Sequence, residues 1–314
     1  MRTRRLGNDG PELTVVGFGA WAIGGPWEFG WGPVDDSASV KAIRRAIDLG
    51  INWIDTAAVY GLGHSEEMVA QAVKGIRDNV FIATKCGMVW DENKKIRVHL
   101  GPESIRSEIE NSLRRLNTDH VDLYQFHWPD PHTPVEESWA VMLKLKEEGK
   151  VRYVGVSNFD VSLLKRCMAL GPVQSLQPPY NLLKREVESE ILPYCLKNGI
   201  GVVAYSPMMS GLLSGKFDIN RVAGDDWRRR DKMFQEPQLT KEMAFIEKLR
   251  PLASKYGKTV GQLSVAWVNI NPAVTSSIVG ARNVSQVEDN VAADFEIAKD
   301  DLQRIEKLSK ETIG

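Results

Sequence analysis

Ile51-Asn52-Trp53-Ile54-Asp55-Thr56-Ala57-Ala58-Val59-Tyr60-Gly61 is an apolar run that ends in an aspartate, with a tyrosine five residues later in a turn of small residues. It reads as a buried strand whose last side chain is polar. Seven other short, β-branched runs share its character, at 15–20, 80–85, 121–127, 151–157, 173–177, 201–206 and 275–280. Between them lie amphipathic helical patterns at 37–49, 65–74, 102–116, 134–148, 161–170 and 187–198. Strict alternation implies parallel strands joined by right-handed crossovers. Continuously apolar strands are expected where helices cover both faces of a sheet.

Eight strand–helix units in 314 residues fit an α/β fold of the (β/α)8 TIM barrel kind, one domain spanning 1–314, better than a doubly wound sheet. Helix punctuation agrees. Asp36 precedes Ser37, Pro102 follows Gly101, and Thr133-Pro134-Val135-Glu136 has capping-box spacing. Gly50, Gly149 and Gly199 sit just past helical segments, where a left-handed cap is expected. A turn cluster at 7–11 between two short strand-like runs predicts an N-terminal β-hairpin that closes one end of the barrel. Patterns at 241–256 and 260–269, and then at 284–292 and 299–310, predict extra helices before and after the eighth strand.

Two connections are unusually long. The first, 24–32, is glycine-rich and carries Trp27, Phe29 and Trp31; it either lines a pocket mouth or packs as a lid on the rim. The second, 207–238, holds three glycines and the charge run Asp225-Asp226-Trp227-Arg228-Arg229-Arg230-Asp231. Loops of that length in compact domains are usually functional.

Composition narrows the function classes. Forty basic residues against forty-one acidic ones leave a formal charge of -1, so no global field would hold nucleic acid or an anionic membrane. The basic N-terminus lacks an apolar core and no 18-residue apolar run occurs, which predicts a cytoplasmic protein. Cys86, Cys167 and Cys195 are far apart and form no CxxC pair, so a disulfide framework or zinc site is not expected. The run His127-Trp128-Pro129-Asp130-Pro131-His132 lacks a third ligand at suitable spacing. No metal is expected.

Active sites of such barrels lie at the carboxyl ends of the strands. Asp55, Lys85 and His127 each end an apolar run, and Tyr60 lies in the turn after the second. Taken singly, the aspartate suits a turn, the lysine a solvated charge and the histidine a core position. Together they place four proton-handling groups on three consecutive strand ends. A free tyrosine has a pKa of ~10, and a nearby ammonium would lower it. Lys85 can supply that ammonium, Asp55 would hold Lys85 charged, and His127 adds a second donor. Such a site can protonate an oxygen as negative charge develops on it, as carbonyl reduction by hydride requires.

Several segments together resemble the aldo-keto reductase superfamily over nearly the whole chain. They are 55–61, Ala83-Thr84-Lys85, 127–130, Gly149 through Phe159, Gln177-Pro178-Pro179-Tyr180-Asn181, Tyr205-Ser206-Pro207 with 211–216, and Ile278-Val279-Gly280-Ala281-Arg282. The chain looks most like the bacterial general-stress and inositol-operon-associated reductases. The resemblance implies NADPH-dependent reduction of aldehydes or ketones, with Tyr60 as general acid, Lys85 and Asp55 as its tuning pair and His127 as orienting donor. It implies NADP(H) binding without a dinucleotide fingerprint. Gly17-Phe18-Gly19 is therefore a decoy, since Trp21 and a long loop follow it instead of a helix.

The same resemblance assigns Ser157, Asn158 and Gln177 to the carboxamide and Tyr205 to the nicotinamide ring, with Ala20, Trp21 and Asp55 also near the cofactor. Ser206, Pro207, Met208, Ser210, Gly211 and Leu212, with Lys216, would cover the pyrophosphate. Gly280, Ala281 and Arg282 would lead phosphate to a helix N-terminus. Arg282 is the first candidate for the 2′-phosphate and Arg228 the second, and Gln286 and Asn290 would face the adenine. Asp289 stands where the family commonly has Glu. On the substrate side, Trp21, Tyr60, His127 and Trp128 would meet a small carbonyl or alcohol. Relatives of this kind are mostly monomers. Two competing readings remain: a Schiff-base aldolase with Lys85 as nucleophile, and a slow or non-catalytic NADPH-binding regulatory subunit.

Overall fold

The computed structural model describes residues 1–224 and 226–313; Asp225 of the expected charge run and Gly314 lie outside the described residues. Twelve strands are described: β1 (Thr3–Arg5), β2 (Glu12–Thr14), β3 (Val16–Gly19), β4 (Trp53–Asp55), β5 (Phe81–Cys86), β6 (Met88–Trp90), β7 (Ile96–Val98), β8 (Val121–Phe126), β9 (Val151–Ser157), β10 (Ser175–Gln177), β11 (Gly201–Ala204) and β12 (Val274–Gly280). The helices are α1 (Asp36–Asp48), α2 (His64–Val73), α3 (Pro102–Leu116), α4 (Val135–Glu147), α5 (Val161–Met168), α6 (Ile191–Asn198), α7 (Gln238–Lys255), α8 (Val260–Val268), α9 (Val284–Val291) and α10 (Lys299–Thr312).

Eight parallel strands close into a barrel in the order β3-β4-β5-β8-β9-β10-β11-β12. The alternation read from the sequence is therefore the architecture, with the hairpin and extra helices where expected. Period-two alternation sorts the interior into layers. Trp53, Ala83, Leu123, Val203 and Ile278 form an apolar layer with Leu6 and Leu13 from the β1–β2 hairpin. The hairpin thus plugs the amino end. Two residues further along β4 and β5, the inward positions are Asp55 and Lys85, so the next layer up is polar.

Several caps differ from expectation. Asp35, not Asp36, caps α1 by accepting from the Ala38 N–H. Thr133 does not cap α4; its hydroxyl donates to Asp130 Oδ2 at 2.8 Å, where the Asp130 side chain, 1% exposed, also accepts from the Leu100 and His132 N–H groups. Gly50, Gly149 and Gly199 take φ of 89°, 76° and 67°, conformations glycine adopts without strain. The antiparallel hairpin β6–β7 was not expected from the sequence; it extends from the end of β5. Among the described residues, no helix is long and apolar enough to cross a membrane.

Candidate active site

The ends of β4 and β5 deliver Asp55 and Lys85 side by side, with Lys85 Nζ 2.7 Å from Asp55 Oδ2. The same ammonium donates to the Thr56 carbonyl at 2.9 Å and to the Tyr60 hydroxyl at 3.1 Å. Its three N–H groups are thus all used. The Lys85 side chain is fully buried and that of Asp55 is 3% exposed, so the pair is held in a low-dielectric pocket where neither charge could stand alone. Gln177 Nε2 donates to the other carboxylate oxygen, Oδ1, at 2.8 Å. Tyr60 reaches the cluster because the chain after β4 turns back through 57–60, and the Tyr60 N–H donates to the Ala57 carbonyl. His127 follows β8, its N–H held by the Cys86 carbonyl at 2.9 Å. Its ring meets that of Tyr60 edge-on, centroids 5.7 Å apart. The four residues expected at the site are therefore in one place.

The electrostatics revise one expectation. Burial, reinforced by the Asp55 charge, pushes Tyr60 well above the usual phenol value, so the neighbouring ammonium does not produce a net lowering. Burial lowers Lys85, while the charge of Asp55 and its hydrogen bond raise it back in part. Burial and the Lys85 charge hold His127 well below the usual imidazole range, so its ring is neutral near pH 7. The site combines a protonated phenol, a bound cation and a neutral imidazole.

Above Tyr60 the 24–32 loop supplies Trp27, whose ring centroid lies 6.0 Å from that of the tyrosine. Trp21 stacks edge-on against Trp31 at 5.0 Å and against Trp227 at 6.2 Å. The two long loops therefore meet across the barrel mouth. Trp128, expected to line the pocket, is 42% exposed. The indole N–H groups of Trp27, Trp31 and Trp227 are buried with no partner among the described residues. In the sequence Trp27 is one of several tryptophans on strand-end loops that could form an aromatic wall, with Trp21 and Trp128 favoured over it.

The groups expected around a nicotinamide also converge, with some already engaged. Ser157 Oγ donates to the Gln177 carbonyl at 2.7 Å, and Asn158 Nδ2 to the His127 carbonyl at 2.9 Å. The Tyr205 hydroxyl donates to Asn158 Oδ1 at 2.9 Å. Ala20 is fully buried, its carbonyl taken by Ser65 Oγ. After β11, Ser206, Met209, Ser210 and Gly211 take φ of 54°, 48°, 50° and 95°. Left-handed non-glycine backbone of this kind is strained and gathers at functional sites. An added Cβ at Gly211 would meet nothing nearer than Arg228 Nη1 at 3.8 Å, so the turn is open toward a ligand. Such a turn, flanked by cations, fits a pyrophosphate. Pro207 and Met208 lie in the same turn, Leu212 is buried beneath it and Lys216 is exposed beyond it.

Arg228 is the member of the arginine run that reaches this turn. It pairs with Asp226, donates to the Ser210 carbonyl at 3.2 Å and lies over the Trp31 ring at 5.1 Å. Arg229 turns away to the carbonyls of Ile219, Val222 and Ala223, and Arg230 is exposed. Gly280 ends β12 and Ala281 follows it, and Arg282 donates to the Trp31 carbonyl at 3.4 Å and to the Pro33 carbonyl. Gln286 accepts from the Arg282 N–H at 2.7 Å, and Asn290 donates to the Gly280 carbonyl at 3.0 Å, so both brace the turn before α9. Asp289 accepts from Gln262 of α8. The open turn, the two arginines and the α9 N-terminus make a donor set suited to the phosphates of a nicotinamide dinucleotide.

A model of the aldo/keto reductase family matches residues 15–310. The aldo-keto reductase YhdN of Bacillus subtilis (strain 168) is 42% identical over 292 residues, covering 92% of this chain and 87% of its own. The NADH-specific methylglyoxal reductase of Escherichia coli (strain K12) is 37% identical over 308 residues, with 93% of each chain covered. The solved structure of a glycerol dehydrogenase from Gluconobacter oxydans superposes with a TM-score of 0.91 at 38% identity, covering 99% of this chain and 95% of that one.

Proposed function

The chain belongs to the aldo/keto reductase family of oxidoreductases, and from that footing we propose that it reduces aldehyde or ketone carbonyls to alcohols with NADPH, Tyr60 serving as proton donor. The observation that carries this reading is the Lys85 ammonium bound at once to Asp55, the Thr56 carbonyl and the Tyr60 hydroxyl. The nicotinamide supplies the hydride. Tyr60, kept protonated by burial, holds its proton until charge develops on the substrate oxygen. An alkoxide is a far stronger base than a phenolate, so the proton then moves downhill. Lys85 donates to the phenolate oxygen left behind, and Asp55, braced by Gln177, keeps Lys85 cationic. His127, neutral and donating one ring N–H, orients the carbonyl oxygen between itself and Tyr60. Trp27 and Trp21 supply the apolar wall.

Full use of the Lys85 N–H groups by three acceptors argues against a Schiff-base role, which needs a free amine lone pair. For the cofactor, Arg282 and Arg228 support the phosphorylated dinucleotide. The Escherichia coli relative named as NADH-specific shows that the family framework alone does not decide the point. Tryptophan-fluorescence titrations with NADPH and with NADH test it: this reading expects tighter NADPH binding, and equal affinities would refute the phosphate assignment. Turnover of a short aldehyde in the same preparation separates an enzyme from a regulatory cofactor binder.

A further inference from the structure

One buried carboxylate outside the four site residues is joined to them by a single peptide group. Glu108, on the inner face of α3, is 9% exposed, and its Oε2 accepts the Gly87 N–H at 2.9 Å. Gly87 shares the Cys86–Gly87 peptide, whose carbonyl accepts the His127 N–H at 2.9 Å. The residue before that peptide is Lys85. The same glycine is the root of the β6–β7 hairpin, since the His99 N–H donates to its carbonyl at 3.0 Å. Its φ of 88°, with an added Cβ 2.3 Å from Leu100 Cδ2, makes the turn dependent on glycine.

We infer that Glu108 is a positioning residue for the site: it fixes the Cys86–Gly87 peptide, and through that peptide the backbone of His127 and the end of β5 that carries Lys85. This rests on the reading of His127 and Lys85 given above. The surroundings suit a group whose acceptor strength matters. Ser104 Oγ donates to its other oxygen at 3.1 Å. Cys86 and the Tyr124 hydroxyl face it from the barrel, and both are neutral near pH 7 because burial raises them well above their usual values. From α2 and α3 come Glu66 and Arg115, which are paired to each other at 2.6 Å. Burial pushes the Glu108 carboxyl up to about 7, against the Gly87 and Ser104 hydrogen bonds and Arg115, with Glu66 adding to the rise. Ionised carboxylates accept more strongly than neutral acids, so the anchor tightens as pH rises through that value.

The test has two arms. In wild-type protein, amide chemical shifts of Gly87 and His127 should titrate together with a midpoint near 7, and in E108Q neither should. A Gly87 shift that titrates while His127 stays still would overturn the relay. In saturating-cofactor turnover, E108L should lose between about tenfold and a hundredfold in kcat, the scale of an ångström-level misplacement. Its cofactor affinity should be unchanged, and E108Q, which retains an acceptor oxygen, should recover most of kcat. E108L with wild-type kcat would refute the inference while leaving the reductase reading intact. Absence of turnover in the wild type would instead refute the reading beneath it.

Discussion

Replacing Tyr60 by phenylalanine removes one oxygen and keeps the ring that packs against Trp27 and His127. Among the described residues that oxygen's one partner is Lys85 Nζ at 3.1 Å, and Lys85 keeps its bonds to Asp55 and the Thr56 carbonyl. One donor of a buried ammonium is left unused, which costs about 1–3 kcal/mol of stability. Folding should therefore survive, and the proposed NADPH contacts, in the loop after β11 and the turn before α9, are untouched. What disappears is the proposed general acid. Positioned acids contribute about 10²- to 10⁴-fold, or about 2.7 to 5.4 kcal/mol at 1.36 kcal/mol per tenfold. Single-turnover oxidation of bound NADPH by an aldehyde, followed by loss of the reduced-nicotinamide absorbance, isolates that step. A fall in rate of at least about a hundredfold at unchanged cofactor affinity is expected. A variant within about threefold of wild type would refute Tyr60 as the acid.

Lys85→Met leaves the buried Asp55 carboxyl with Gln177 as its remaining side-chain donor among the described residues. It should cost about 3–5 kcal/mol in denaturant unfolding as well as activity, whereas a surface-like loss below about 1 kcal/mol would contradict the buried pair. Arg282→Ala should weaken NADPH by about tenfold or more and NADH far less, since a charged hydrogen bond is worth about 1.5–3 kcal/mol; equal losses in parallel titrations would place the 2′-phosphate elsewhere. The raised carboxyl of Glu108 has a stability consequence of definite sign. The folded state holds this proton more tightly than the unfolded chain, so its contribution is present below pH ~4.5 and lost as pH rises through about 7. Shifted by about 2.5 pH units, it is worth about 3 kcal/mol. Glu108→Gln should abolish that decline, and unfolding curves at pH 5 and pH 8 that keep the wild-type difference would contradict it.

Much of this was legible because strands and site residues coincide with local pattern. Val151–Ser157 and Pro102–Leu116 have the bounds that the sequence predicted, one a closed apolar run and the other bracketed by Pro102 and Asn117. Asp55, Lys85 and His127 were visible as polar ends of apolar runs, which the barrel then gathers. The β6–β7 hairpin was not visible, because its two strands are only three residues each and mostly half-buried, with the charged turn Asp91-Glu92-Asn93-Lys94-Lys95 between them. The link from Gln177 to Asp55 spans 122 residues and leaves no local trace. The direction of the Tyr60 shift was misjudged for a related reason. An ammonium nearby can be inferred from strand order, but the depth of burial that outweighs it exists only once the loops carrying Trp27 and Trp227 have closed over the barrel. Arg228 could not be told from its two neighbours until the loop's register was known.

The most direct test of the central claim is to mix the purified protein with NADPH carrying deuterium at the transferable position and a short aldehyde, and to analyse the alcohol by mass spectrometry. Deuterium in the carbinol carbon, in proportion to NADPH oxidised and abolished in Tyr60→Phe, is the predicted result. Tight cofactor binding with no labelled alcohol from any of a panel of aldehydes and ketones would contradict it and leave the protein a cofactor binder.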